Sequence, residues 1–308
     1  MVEFREVARG LRFPEGPVAM PDGSVLVVEI ERRTVSRIGR DGTVDVVART
    51  GGGPNGLAIA ADGAAYVANN GGFEFVEDEH GLRPLWQAWD YSGGRIERVD
   101  LGTGEVTVLT RGTHAFPLRG PNDLVVDRQG GIWFTDLGKR RPRDMDWGGV
   151  YWLSPDRRLL REVAHPFITP NGIGLSPDER TLYVAETEGA RLWAFDIVGP
   201  GEVRKSPWPS VHGGRLLYAA GGAFQRYDSL AVEASGNICV ATLVQGGVTV
   251  ISPSGDLVEF VPLPDRMTTN LCFGGAGLRT AYVTQSLTGT LIAVPWPRPG
   301  LPLNFLNR

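Results

Sequence analysis

The chain has 308 residues, with 31 Lys plus Arg against 35 Asp plus Glu, a formal net charge of -4 and a pI near 5.7. That balance argues against nucleic acid or an anionic membrane as the main partner, since either needs a basic face, and leaves a small molecule as the expected one. The 42 glycines and 22 prolines are spread between apolar runs and punctuate many short strands, whereas a disordered tract would concentrate them.

Met1 to Gly10 is charged and has no apolar core segment, so it does not read as a secretory signal. No continuously apolar run of about 18 residues follows it, and the protein reads as cytoplasmic. Cys239 and Cys272 sit inside apolar strand patterns and read as buried thiols, without His or Cys neighbours at zinc spacing.

From residue 13 onward one unit recurs: a small residue or proline, a polar residue, often glycine, then two apolar strands joined by a turn. The copies begin at Pro14-Glu15-Gly16, Pro54-Asn55-Gly56, Pro121-Asn122-Asp123, Pro170-Asn171-Gly172, Tyr227-Asp228-Ser229 and Thr269-Asn270. Turn signals such as Asp22-Gly23, Asp62-Gly63, Gly130-Gly131, Pro177-Asp178 and Ser235-Gly236 fall between the strands. A second hairpin pattern follows each copy, as in Ser36 to Val47 and Val248 to Val261. Two hairpins make a four-stranded antiparallel sheet, and six such sheets predict an all-β, six-bladed β-propeller occupying residues 1–308 as one domain.

The last repeat runs into Pro295, Pro297, Pro299 and Pro302 without an outer strand. Arg5-Glu6-Val7-Ala8 stands ten residues before Glu15, and Arg161-Glu162-Val163-Ala164 stands ten before Asn171. The N-terminus is therefore an outer strand without its own blade, expected to pair with the C-terminal blade, close the ring and remove an exposed edge.

Equivalent positions in equivalent blades face one another around the axis, so Glu15, Asn55, Asn122, Asn171, Asp228 and Asn270 form an expected ring of side-chain oxygens. Two carboxylates near one axis repel and partly protonate unless a cation neutralises them. Carboxylates and amides without histidine or thiolate suit calcium first, magnesium or manganese next, and zinc least. The competing reading is that Asn and Asp simply favour strand-entry turns, which accounts for Asn55 and Asn270 but not for Glu15.

A second ring lies one hairpin later: Glu29, Asn69, Asp136, Glu186, Thr242 and Gln285. These residues are expected to rim the same opening, orienting ligands or touching a substrate. The inserts from Gly71 to Gly93 and from Gly138 to Gly148 hold Phe73, Phe75, Trp86, Trp89, Tyr91 and Trp147, read either as a wall selecting an apolar or ring-shaped substrate or as packing between blades. Lys139-Arg140-Arg141-Pro142-Arg143 is either a solvated surface run or an attractor for an anionic substrate. No Gly-x-Ser-x-Gly elbow, His-Glu-x-x-His, phosphate loop or dinucleotide fingerprint is present, and His80, His114, His165 and His212 share no ligand spacing.

Across nearly its whole length the chain resembles the superfamily of gluconolactonase, regucalcin (senescence marker protein), LRE-like proteins and diisopropylfluorophosphatase, six-bladed calcium-dependent propellers. The resemblance is carried by Pro14-Glu15-Gly16, Gly120-Pro121-Asn122-Asp123, Pro170-Asn171-Gly172, Asp228-Ser229 and Cys272-Phe273-Gly274-Gly275. It implies that Glu15, Asn171 and Asp228 hold a catalytic metal and that Asn122 completes the shell or touches substrate. Ser229 departs from the family's common glycine, and Arg119 lies one residue farther from Asn122 than the family's substrate arginine.

What the resemblance implies is a lactonase that opens a sugar or aryl lactone, with Asp228 as general base, Glu15 as the other catalytic carboxylate, and Asn122, Asn55, Asn270, Asp136 and Trp147 facing the substrate. Organophosphate triester hydrolysis at the same cation and a non-catalytic calcium-binding propeller are the alternatives.

Overall fold

The computed structural model describes residues 2–222 and 224–307, and in it strands feed six radial sheets. Blade one is Pro14–Ala19, Val25–Glu29, Thr34–Ile38 and Val44–Arg49 from the axis outward. Blade two is Pro54–Ile59, Ala65–Asn69, Arg95–Val99 and Val106–Thr110, with the hairpin Phe73–Asp78 and Gly81–Gln87 inserted after its second strand. Blade three runs from Pro121–Val126 through Ile132–Asp136 and Gly148–Leu153 to Leu160–Phe167. Blade four has Pro170–Leu175, Thr181–Glu186 and Arg191–Gly199, whose outer edge pairs with both Glu202–Arg204 and Arg215–Ala219, one strand more than the repeat predicts. Blade five is Arg226–Val232, Ile238–Leu243, Gly247–Ile251 and Leu257–Pro262.

Blade six closes the ring as expected. Its own strands are Thr268–Gly274, Thr280–Gln285 and Thr290–Pro295, and Arg5–Arg9 pairs antiparallel with the last of these, Arg5 opposite Ala293. The innermost strands touch their neighbours in cyclic order, the first contacting the last.

The core is divided into the interfaces between blades. One cluster joins Val18, Leu26 and Val28 of blade one to Leu57 and Val67 of blade two, and comparable clusters fill the other five junctions. This arrangement explains why the second strands are buried on both faces and read as near-continuous apolar runs, as in Val25-Leu26-Val27-Val28.

The C-terminal residues do something the repeat did not foretell: they cross one end of the channel. Arg298 pairs with the fully buried Glu233, Leu301 N–H donates to Val232 O, and Asn304 Nδ2 donates to Val126 O and to Glu179. Leu301, Leu303 and Leu306 then share a cavity with all six innermost strands, and the tail floors the channel on the side away from the inserts.

Candidate functional site

Each anchor sits where its innermost strand is irregular. The register with the second strand shifts between Glu15 and Val18, Pro54 and Gly56, Pro121 and Leu124, Pro170 and Ile173, Tyr227 and Leu230, and Thr268 and Asn270. A bulge re-aims a side chain and leaves local polar groups for other partners, so the repeated irregularity is what turns these strand residues toward the axis.

The glycine after an anchor has a second purpose. A Cβ on Gly56 would lie 2.6 Å from Asn122 O, and one on Gly172 would lie 2.7 Å from Asp228 O. These residues are glycine because the neighbouring anchor's backbone occupies the space where a side chain would begin.

Glu15, Asn55, Asn122, Asn171 and Asp228 line a single cavity of about 210 Å³. All five are nearly buried, between 3% and 9% exposed. Glu15 Oε2 accepts hydrogen bonds from Gly16 N–H at 2.9 Å and Asn270 Nδ2 at 2.8 Å. Asn171 donates from Nδ2 to Thr187 Oγ1 at 3.0 Å, while its Oδ1 accepts a long 3.3 Å bond from Ser229 Oγ. Asn55 and Asn122 have no side-chain hydrogen bond to any described residue, so their amides face the cavity with donor and acceptor capacity in hand.

Electrostatics single out the two carboxylates. Burial, and then the charge of Asp228, hold the Glu15 carboxyl well above the usual carboxylate range against the hydrogen bonds from Asn270 and Gly16. Burial also pushes Asp228 up to about 7, opposed by its bond with Asn171 and reinforced by the charge of Asp123. Asp123 itself is pushed up to about 7 by burial. A dry site with two mutually repelling acids favours either protons or a cation.

The donor chemistry fits a hard divalent ion: two carboxylates and amide oxygens, of which Asn171 Oδ1 is only weakly satisfied and those of Asn55 and Asn122 are free. Among the described residues no three His, Cys, Asp or Glu side chains cluster, so a thiolate or imidazole site is absent from them.

Several sequence expectations require correction. Asp136 does not line the cavity: its carboxylate accepts from the N–H groups of Arg119, Gly120 and Gly138 at 2.7, 2.6 and 2.9 Å, and so fixes the loop that delivers Asn122. Glu29, Asn69, Glu186 and Gln285 do the same for Arg12, Gly53, Ile168 and Asp265, while Thr242 bonds Thr249. The second ring therefore staples strand entries, because a residue at the end of the second strand lies beside the chain entering the first.

Asn270 is a buried support of Glu15 on the floor side of the ring, and Trp147 is 61% exposed and off the cavity wall. Arg119 is also exposed and off the wall. Of the insert aromatics only Phe73 reaches the cavity; Pro84 and Leu85 of the first insert, with Leu137 just before the second, supply the rest of the apolar roof.

Lys139 departs most from a surface reading. It is 1% exposed, its Nζ donates to Asn70 Oδ1 at 2.9 Å and Gly72 O at 3.0 Å, and it lies 3.7 Å from the centre of the Phe73 ring. Burial lowers its pKa well below the ordinary lysine range, against the charges of Asp136 and Asp146. Lys139 clamps the two inserts together, and the hairpin reaches on to the far side of the mouth, where Leu82 N–H donates to Leu287 O and Phe75 packs on Phe13. Wall residues that the repeat could not single out are Arg83, Arg226, Thr187, Glu188, Leu243 and Met267, which lie in hairpins or beside anchors without a motif of their own.

The profile of the family described as SMP-30/Gluconolactonase/LRE-like region matches residues 13–287. The chain belongs to this family. The match runs from the residues just before the first anchor to those closing the inner hairpin of the last blade, so it includes the inner hairpin of every blade.

A gluconolactonase of Zymomonas mobilis is 25% identical over 305 residues, covering 91% of this chain and 78% of that protein. A 6-deoxy-6-sulfogluconolactonase of Pseudomonas putida is 28% identical over 246 residues, covering 66% of this chain and 82% of its own. Among solved structures, the gluconolactonase XC5397 of Xanthomonas campestris is 26% identical with a TM-score of 0.74, covering 96% of this chain and 90% of that one. The calcium-binding protein regucalcin of Agrobacterium tumefaciens has a TM-score of 0.77 at 18% identity, covering 100% and 98%, and shares the fold.

Proposed function

We propose that this family member is a divalent-cation-dependent lactonase acting on a sugar or aryl lactone, with calcium as the preferred ion. The observation that carries the reading is one cavity lined by Glu15, Asn122, Asn171 and Asp228, in a chain whose relatives include gluconolactonases. Glu15, Asn171 and Asp228 would hold the cation, with Asn122 beside them. When bound, the ion supplies charge for the ester carbonyl as it becomes an oxyanion.

The protein's own residues do the rest. Asp228 accepts the proton of the attacking water from its buried place on the cavity wall. Asn55 and Asn122 hydrogen-bond ring or carbonyl oxygens with their unpartnered amides. Glu15 is held by Asn270 and contributes charge rather than proton transfer. Phe73, Pro84, Leu85 and Leu137 exclude bulk water from the mouth.

Acid release from neutral aldonolactones and aryl lactones, measured with chelator and then with added calcium, magnesium, manganese or zinc, tests this reading. Turnover should vanish on chelation and return best with calcium. Hydrolysis of phosphate triesters without any lactone turnover, or lactone turnover that survives chelation, would overturn it.

A further inference from the structure

The mouth of the cavity has a charge pattern that the hydrolytic reading does not use. Arg83, Arg140 and Arg226 line the same cavity as Glu15 and Asp228, and the one other acid on the wall is Glu188. Arg83 is spent on Asp78, with both terminal nitrogens at 2.6 Å. Arg140 and Arg226 instead share Glu188: Arg140 Nη1 lies 2.6 Å from Oε1, and Arg226 Nη2 lies 3.1 Å from Oε2. Two guanidiniums on one carboxylate leave one positive charge in excess at the mouth.

Arg226 also has an unfilled donor. Its Nε–H is shut off from solvent and has no acceptor among the described residues. A sequestered N–H without a partner is unfavourable, and an oxygen from a ligand relieves it. Both arginines are seated firmly. Arg140 O accepts from Gln87 N–H at 2.8 Å, and its guanidinium lies over the Trp86 ring at 5.6 Å. Arg226 opens the innermost strand of blade five, paired with Leu243, and its guanidinium lies over the Phe224 ring at 5.5 Å. Planar forks fixed on aromatic faces are suited to a tetrahedral or planar oxyanion.

We propose that the cavity selects lactones bearing a second, anionic group away from the ester (a carboxylate, sulfonate or phosphate monoester), and that Arg140 and Arg226 bind that group while Glu188 occupies them in its absence. This rests on the lactonase reading and names its substrate class. A neutral polyol lactone offers hydroxyls to these groups but no charge to balance the excess cation.

The test compares kcat/KM for a neutral aldonolactone and the same ring carrying a terminal carboxylate, sulfonate or phosphate, at low and high salt. The account expects the best charged member to be favoured at least about 10-fold, mainly through KM, with the preference shrinking as salt is added. In the double variant Arg140→Gln/Arg226→Gln the charged-to-neutral selectivity ratio should fall by about 10- to 100-fold. In Glu188→Gln the ratio should rise, because the internal competitor is gone. Circular dichroism and calcium titration show whether each variant is folded, and Arg140→Gln alone serves if the double variant is not.

Equal kcat/KM for charged and neutral rings, or a preference that survives the double variant, overturns the inference while leaving the lactonase reading intact. If no lactone turns over, that reading falls separately, and calorimetric titration with inorganic sulfate still decides: weak competable binding lost in the double variant supports the anion site, and no binding to the wild-type protein sinks it.

Discussion

Asn270 Nδ2 donates to Glu15 Oε2 at 2.8 Å, which ties the last blade to the first at the level of the proposed ion. The same glutamate oxygen accepts Gly16 N–H, so two donors orient the Glu15 carboxylate. Replacing Asn270 with alanine removes a side-chain donor that the last blade supplies to this carboxylate. Calcium affinity, measured by chelator competition, should fall by about 10- to 100-fold. The variant should also lose about 1 to 3 kcal/mol of stability.

The buried acids make cation binding dependent on pH. Asp228 is pushed up to about 7 and Glu15 stands well above its ordinary value, chiefly through burial. Without a cation the folded protein therefore retains protons that the unfolded chain, with aspartate near 3.9, has already released. Stability of the ion-free protein should fall as pH rises from about 4 through 7, because the unfolded state binds fewer protons there. Cation binding expels those protons, so affinity should rise over the same interval. Calorimetry in two buffers of different ionisation enthalpy measures the released protons, and Asp228→Asn should flatten the dependence.

Asp136 shows how a support can imitate a ligand in sequence. Its three N–H contacts hold Arg119 and Gly120 just ahead of Asn122. Asp136→Asn places an amide NH₂ against N–H donors and should cost about 1 to 3 kcal/mol. Thermal unfolding reads the loss, and calcium affinity should change less than in Asn270→Ala because Glu15 is untouched.

The close approach of adjacent anchors predicts intolerance at Gly56 and Gly172. An added methyl group meets backbone rather than a movable side chain, at 2.6 Å from Asn122 O in the first case and 2.7 Å from Asp228 O in the second. Gly56→Ala and Gly172→Ala should each lose about 1 to 3 kcal/mol or more and weaken ion binding. Gly63→Ala, at a turn where nothing lies within 4 Å of a Cβ, is strained by its φ of +73 but meets no neighbour, and separates backbone strain from the clash.

Much of this architecture is legible in sequence because radial repetition forces equivalent residues into equivalent places. The pairing of Arg5–Arg9 with Thr290–Pro295 follows from a missing outer strand at one end and a spare one at the other. The convergence of Glu15, Asn122, Asn171 and Asp228 on one cavity follows from the common position of the anchor in each repeat.

What repetition could not reveal lies in segments that do not repeat. The tail bearing Leu301 and Asn304 has no counterpart in any blade, and its role as a floor comes from long-range contacts with Val232, Val126 and Glu179. Lys139 belongs to a basic run that looks solvated, yet two oxygens and the Phe73 ring bury it alone while Arg141 pairs outward with Asp146. At Asp136 the end of a second strand and the entry of a first share one face, so equal spacing cannot say whether a carboxylate faces the cavity or the loop.

The most direct measurement is anomalous diffraction from crystals soaked in manganese, with calcium-grown crystals as the reference. One cation should appear with oxygens of Glu15, Asn171 and Asp228 at about 2.1 to 2.6 Å. A cation bound elsewhere, with those three side chains left in contact only with water or one another, would contradict the account.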